Sequence, residues 1–238
     1  MCWLSTTVAL GLSSGRPSEE GLIVDAQAVF QWATDVAGIA PERIVLFGQS
    51  MGSSVAIALA RTLALQKVSV AGLIITGSFP DVSSMLAEYR TFFGLRAFGP
   101  LARFPGLKAF YTQGMRKQWP NLNRLAGTVR LSPAYHIEIF HAQADPIVPW
   151  SLSNAFFEHA VSAASDSEVE QVEFEKKKAK KVIDMGEGGW YVKWPTPKGL
   201  IRQEVLRYGV HDRIMMHPHI AIAVQRAFQS KDSGFEDR

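Results

Sequence analysis

The run "RIVLFGQSMGSSVAIALA", Arg43 to Ala60, constrains this chain more than any other. Ile44 to Phe47 form a short continuous apolar stretch, which suits a strand buried on both faces. Directly after it, Ser50 sits between Gly48 and Gly52 at the spacing G-x-S-x-G. A helix then opens near Met51, with small residues at Gly52, Ser53, Ser54, Ala56 and Ala58. A strand that stops so close to a helix start leaves room only for a sharp turn. Both glycines are read as positions where a Cβ would clash. Such a turn exposes the serine and places the free N–H groups of the helix beneath it. The pattern favours Ser50 as a nucleophile, with a plain helix N-cap as the bland alternative.

The rest of the chain alternates in the same way. Ser18 reads as an N-cap with Glu19 and Glu20 in the first turn. Leu22, Ala26, Val29, Phe30 and Ala33 then share a helical face, and Gly38 ends it. "VAGLIITGSF" and "HIEIFHAQ" read as buried strands and "SLSNAFFEHAV" as a helix. "VEFEKKKAKKV" reads as a strand with a solvated, lysine-rich end, and "GWYVKWPTPKGLIRQEVLRYG" as two strands joined by a turn. A last helix is expected from about Pro218 to Phe228. Residues 81–131 break the pattern: Pro100, Pro105 and Pro120 divide an aromatic-rich stretch into short helical pieces. Strands alternating with helices predict an α/β fold with a mostly parallel sheet and helices on both faces.

With 238 residues, the chain suffices for one such domain, 1–238, with 81–131 inserted as a helical cap. The net charge of +3 is too mild to imply a nucleic-acid partner, and no nucleic-acid-binding signature is present. One cysteine, Cys2, excludes an intrachain disulfide and fits a reducing compartment. No apolar run reaches the ~20 residues of a membrane span, and no basic segment precedes the apolar start as in a signal peptide. A cytoplasmic or membrane-associated place is favoured. Lys176, Lys177, Lys178, Lys180 and Lys181 read as a solvated strand end, with contact to anionic lipid headgroups as the functional alternative.

A nucleophilic serine needs a base and a group that orients it. Asp145 in "FHAQADPIVP" follows a strand and precedes a proline turn, at the same sheet edge as Ser50. Its bland alternative is an Asp-Pro turn residue. His211 in "LRYGVHDRIMM" lies in a loop between the last strand and the last helix, where an ordinary loop histidine is the alternative. His217 and His219 flank Pro218, but no cysteine or acidic cluster completes a metal site, and no metal or cofactor is expected. His136, His141 and His159 lie in or beside regular elements and read as structural; His141 is the nearest competitor of His211.

Together, "GLSSGRPSEEGLIVDAQAVFQWA…GIAPERIVLFGQSMGSSVAIALA", "IFHAQADPIVPW" and "YGVHDRIMMHP" resemble the α/β-hydrolase superfamily, and within it the α/β-hydrolase-domain (ABHD) acyl hydrolases. The resemblance implies an α/β-hydrolase fold whose cap follows the strand after the nucleophile helix. It implies a nucleophile elbow at Gly48 to Gly52, a Ser50–Asp145–His211 triad, and the backbone N–H of Met51 as one oxyanion donor. The family places three strands and a helix before this point, with a loop that supplies a second oxyanion N–H. Here "STTVALG" stands where a D-Y-R-G-like run is usual. The first three strands of the fold are therefore expected to be missing from a truncated start, leaving a gap beside "RIVLF".

The expected activity is hydrolysis of an ester or thioester bond of an acyl substrate, with cap aromatics such as Phe92 and Phe93 covering the acyl chain or merely packing the cap. Two rivals stand beside it. One is a catalytically impaired interaction protein of the same fold, favoured by the missing loop. The other is a serine aminopeptidase, for which no terminus-binding residue is identifiable.

Overall fold

Gly72–Thr76 and Tyr135–Ala142 are extended and buried at every position, which requires a cover on each face of the sheet they share. The computed structural model describes residues 18–82, 84, 119–165 and 171–232. Among them are strands β1 (Val45–Gln49), β2 (Gly72–Thr76), β3 (Tyr135–Ala142), β4 (Val182–Asp184), β5 (Trp190–Thr196) and β6 (Gly199–Leu206). The helices are α1 (Glu19–Gln31), α2 (Met51–Leu65), α3 (Asn121–Leu131), α4 (Leu152–Ala164), α5 (Gln171–Lys181) and α6 (Pro218–Asp232). The six described strands form one sheet in the order β1-β2-β3-β6-β5-β4. β1, β2, β3 and β6 run parallel, and the β5–β6 and β4–β5 pairs are antiparallel. Among the described residues β1 lies at one edge, and its Phe47 is exposed.

Odd-numbered positions of the central strands face one way. Leu73, Ile75, Ile137 and Ile139 join Ile57 and Leu63 of α2, Leu125 and Val129 of α3, and Phe156 and Phe157 of α4 in the main core. Ile74 and Phe140 point to the other face and meet Ile220 and Ala223 of α6. Helices on both faces explain why these strands read as apolar runs rather than as alternating ones. Ser18 caps α1 as its sequence suggests, its hydroxyl accepting from the Gly21 N–H at 3.0 Å. After α1, a π-helical turn over Trp32–Val36 leads to Gly38 at φ +66°. Of the apolar face read from the sequence, Ala33 alone is buried, while Ala26 and Phe30 pack partly on the core and Val29 is exposed.

The same inward alternation carries charge. His136 and Glu138 of β3, and Arg202 and Glu204 of β6, are all buried on the α6 side. Arg226 of α6 donates from Nε to Glu138 at 2.9 Å, and His136 Nε2 lies 2.8 Å from the same carboxylate. Arg202 bonds Glu204 at 3.1 Å and 2.6 Å and stacks 3.7 Å from the centre of the Tyr191 ring. His219 closes the chain on Glu204. These pairs fix how α6 lies on the sheet, because a buried charge left without its partner is strongly destabilising.

One expectation is corrected. "VEFEKKKAKKV" is not a strand: Gln171–Lys181 is the helix α5, and only Val182–Asp184 is extended. The V-E-F-E alternation imitates a strand over four residues. Glu, Lys and Ala are good helix formers, however, and Glu173 pairs with Lys177 at 2.7 Å across one helical turn. Phe174 and Lys178, four apart, form its buried side.

The Glu138 cluster generates a pH prediction. Burial pushes the Glu138 carboxyl up, but Arg226 and His136 outweigh it and lower it from 4.5 to about 2. A lowered folded value means that its contribution is complete above pH 4.5 and is lost as pH falls toward 2. The prediction is that Glu138→Gln is less stable at neutral pH and flatter in this window. The wild type should lose on the order of 3 kcal/mol more than the variant across it. Urea titrations at several pH values check this; parallel curves for the two proteins would refute it.

Candidate functional site

The turn between β1 and α2 is as sharp as its sequence requires. Ser50 has φ +52° and ψ −122°, a conformation held in a non-glycine residue at a cost of order 1–3 kcal/mol. The Ser50 N–H donates to Thr76 O at 2.9 Å, and the Ser53 N–H donates to Ser50 O at 3.0 Å. A Cβ on Gly48 would stand 2.4 Å from Gly52 O and 2.6 Å from the Ser53 Cα, so only glycine lets α2 fold back here. Gly52 differs from expectation: among the described residues a Cβ there would meet nothing within 4 Å. Its place on the outside of the first turn of α2 leaves it space that the spacing alone does not reveal. Met51 is exposed at the start of α2, where the first N–H groups have no acceptor within the helix.

Asp145 and His211 meet. His211 Nδ1 lies 2.8 Å from Asp145 Oδ2, and both side chains are buried. The loop after β3 holds Asp145: the Ile147 and Val148 N–H groups donate to its Oδ1 at 2.9 and 3.0 Å. Burial pushes this carboxyl up, yet hydrogen bonds from His141, His211 and the Val148 N–H hold it well below the usual carboxylate range. With Nδ1–H committed to the carboxylate, Nε2 of His211 is left as the acceptor.

Residues that no sequence motif singles out bring this pair to the turn. Gln49, next to Ser50, donates from Nε2 to the backbone carbonyl of His211. Gly77 follows β2 at φ +55°, and a Cβ on it would lie 3.0 Å from the His211 ring and 3.9 Å from Asp145 Oδ2. Asn121, fully buried, joins Pro80 and α2: its N–H donates to Pro80 O at 3.0 Å, and its amide to Phe79 O at 2.9 Å and Ser54 Oγ at 2.8 Å. Both ends of the segment that leaves at Pro80 and returns at Trp119 are thereby held beside the first turns of α2. These contacts join positions far apart in the chain, so no local pattern signals them.

Phe92 and Phe93, and most of the cap expected over 81–131, lie outside the described residues. The last part of that range, α3, packs into the main core through Leu125, Ala126 and Val129. His217 and His219 stack edge to face with centroids 4.9 Å apart. Among the described residues no group of three or more His, Cys, Asp or Glu is placed to hold a metal ion. None of the described helices is long and apolar enough to cross a membrane.

The two glycines of the turn should respond differently. Gly48→Ala is predicted to cost at least about 2 kcal/mol, because backbone atoms stand where the methyl would go. Gly52→Ala is predicted to be neutral or to stabilise by up to about 1 kcal/mol, as alanine does in a helix. Equilibrium unfolding measures both; equal effects would refute the assignment of the steric constraint to Gly48.

No family model matches the chain. It is 28% identical over 167 residues to the lysophosphatidylserine lipase ABHD12 of Macaca fascicularis, covering 69% of this chain and 39% of that relative. It is also 28% identical over 156 residues to an uncharacterised protein of Mycobacterium tuberculosis, covering 66% of this chain and 45% of the relative. The chain thus spans less than half the length of these curated relatives. Among solved structures, an α/β-hydrolase from Vibrio vulnificus superposes with a TM-score of 0.57 at 20% identity, over 93% of this chain and 61% of that one. The Pyrococcus furiosus esterase Pf2001 gives 0.54 at 18% identity, over 95% and 66%. The chain is an α/β-hydrolase in fold, similar to the ABHD proteins.

Proposed function

We propose that this chain is a serine hydrolase that cleaves carboxylic ester or thioester bonds of acyl substrates. The observation that carries the reading is the Asp145–His211 hydrogen bond beside a serine held at positive φ between a strand and a helix. Ser50 Oγ attacks the acyl carbonyl while His211 Nε2 takes its proton. The Met51 N–H, at the start of α2, stabilises the oxyanion that forms. As the tetrahedral intermediate collapses, His211 returns the proton to the leaving oxygen or sulfur and Ser50 holds the acyl group. Water then attacks the acyl-enzyme by the same route, releasing the acid and restoring Ser50. Asp145 orients His211 and balances the charge that His211 gains. The esterase and lipase named above support this chemistry. The aromatic-rich sequence before Trp119, with Phe92 and Phe93, is assigned to the acyl chain.

Turnover of a short p-nitrophenyl ester tests this. Ser50→Ala, Asp145→Asn and His211→Ala should each lower kcat by on the order of 10³-fold or more, with unfolding still cooperative. Gly77→Ala should lower it by roughly tenfold or more by displacing the His211 ring. Turnover unchanged in Ser50→Ala would refute the reading.

Contact with a membrane surface is favoured by α5. Val172, Lys176 and Lys180 are exposed and share the helical face opposite buried Phe174 and Lys178, and exposed Ile183 follows. Lysines around apolar side chains suit an anionic lipid surface, at about 1 kcal/mol per lysine. Lys176→Glu with Lys180→Glu should abolish co-sedimentation with phosphatidylserine vesicles at low salt. Binding that is equal for this variant and the wild type would refute it.

A further inference from the structure

We propose that His141 is a positioning residue that holds the Asp145 carboxylate and its turn in place for His211. It stands near the end of β3, opposite Val205 of β6, and is fully buried. Its Nε2 lies 2.9 Å from the Val148 carbonyl oxygen and 3.3 Å from Asp145 Oδ2. A carbonyl can only accept, so Nε2 carries the proton. Nδ1 is buried without a hydrogen-bond partner among the described residues. The single N–H is therefore shared between the carboxylate and the turn that grips it.

That turn is closed from both sides. The Val148 N–H donates to Asp145 Oδ1 at 3.0 Å, while the Val148 carbonyl accepts from His141. Asp145 Oδ2 accepts from His211 at 2.8 Å and has His141 on its other side. His141 belongs to a rigid strand, whereas Asp145 and His211 belong to loops. One ring on the sheet thus fixes the direction in which Oδ2 points, and through it the orientation of the His211 ring. The contacts of His141 are with Val148 and Asp145, so it acts through Asp145. The role rests on the reading of Asp145 and His211 as acid and base.

A double-mutant cycle on the full chain tests it, with p-nitrophenyl ester turnover and the rate of fluorophosphonate labelling as readouts. His141→Phe keeps the ring and removes the donor. It should lower kcat by roughly tenfold or more with little change in KM, the scale of a lost hydrogen bond to a charged group. His141→Gln, which can present an N–H in the same place, should recover most of the loss. In an Asp145→Asn background, His141→Phe should cost no more than about twofold further, because its target is already gone. Should His141→Phe fail to fold, His141→Asn, too short to reach Val148 O, takes its place in the cycle. Equal losses in both backgrounds, an effect on KM alone, or no loss would overturn the positioning role while leaving the hydrolase reading intact. A wild type that neither turns over ester nor reacts with the fluorophosphonate would instead overturn the hydrolase reading, and this role with it.

Discussion

The missing Cβ at Gly48 is the constraint on which the rest of the site depends. Backbone atoms of Gly52 and Ser53 occupy the space a side chain would need. Because they can come so close, β1 ends and α2 begins within one residue, and Ser50 is driven to positive φ. The small residues of the first turns of α2 extend the same close approach, with Ser53 and Ser54 fully buried. A turn this tight is stable only if its surroundings hold it, and Thr76 O and Ser50 O do so through the Ser50 and Ser53 N–H groups.

The sheet then determines which loops can reach that turn. Parallel strands β1, β2, β3 and β6 all end at one edge, so Ser50, Gly77, Asp145 and His211 all follow strand ends there. The buried charges on the opposite face serve the same end at a distance. Arg226 and His219 fasten α6 to Glu138 and Glu204, and the loop carrying His211 runs from β6 directly into α6. A helix held by apolar contacts alone could slide. Ion pairs in register with two strands allow one placement.

Local chemistry is legible in the sequence. The sharp turn at Ser50 can be read because strand, glycine and small-residue helix are contiguous. Asp145 can be read because an aspartate before proline makes its own turn, here with Ile147 and Val148. The reading fails where a short pattern is ambiguous. V-E-F-E fits a strand and a helix alike, and the lysines that follow decide for α5. It also overreaches at Gly52, where a motif position meets no steric constraint among the described residues. Gln49, Gly77, Asn121 and the contact of His141 with Asp145 stay hidden for a different reason. Each acts on a partner brought close by the fold, and the Gln49 to His211 contact joins residues 162 apart. The pairing of Glu138 with Arg226 is of the same kind, joining residues 88 apart in the chain.

Ser50 as the acylated residue is the central claim, and its most direct measurement is peptide mapping after reaction with a fluorophosphonate. The full chain is labelled, digested, and the mass of the adduct located by tandem mass spectrometry. A single adduct on Ser50, absent when the protein is unfolded before labelling, is the predicted result. An adduct on another residue, or labelling that survives unfolding, would contradict it.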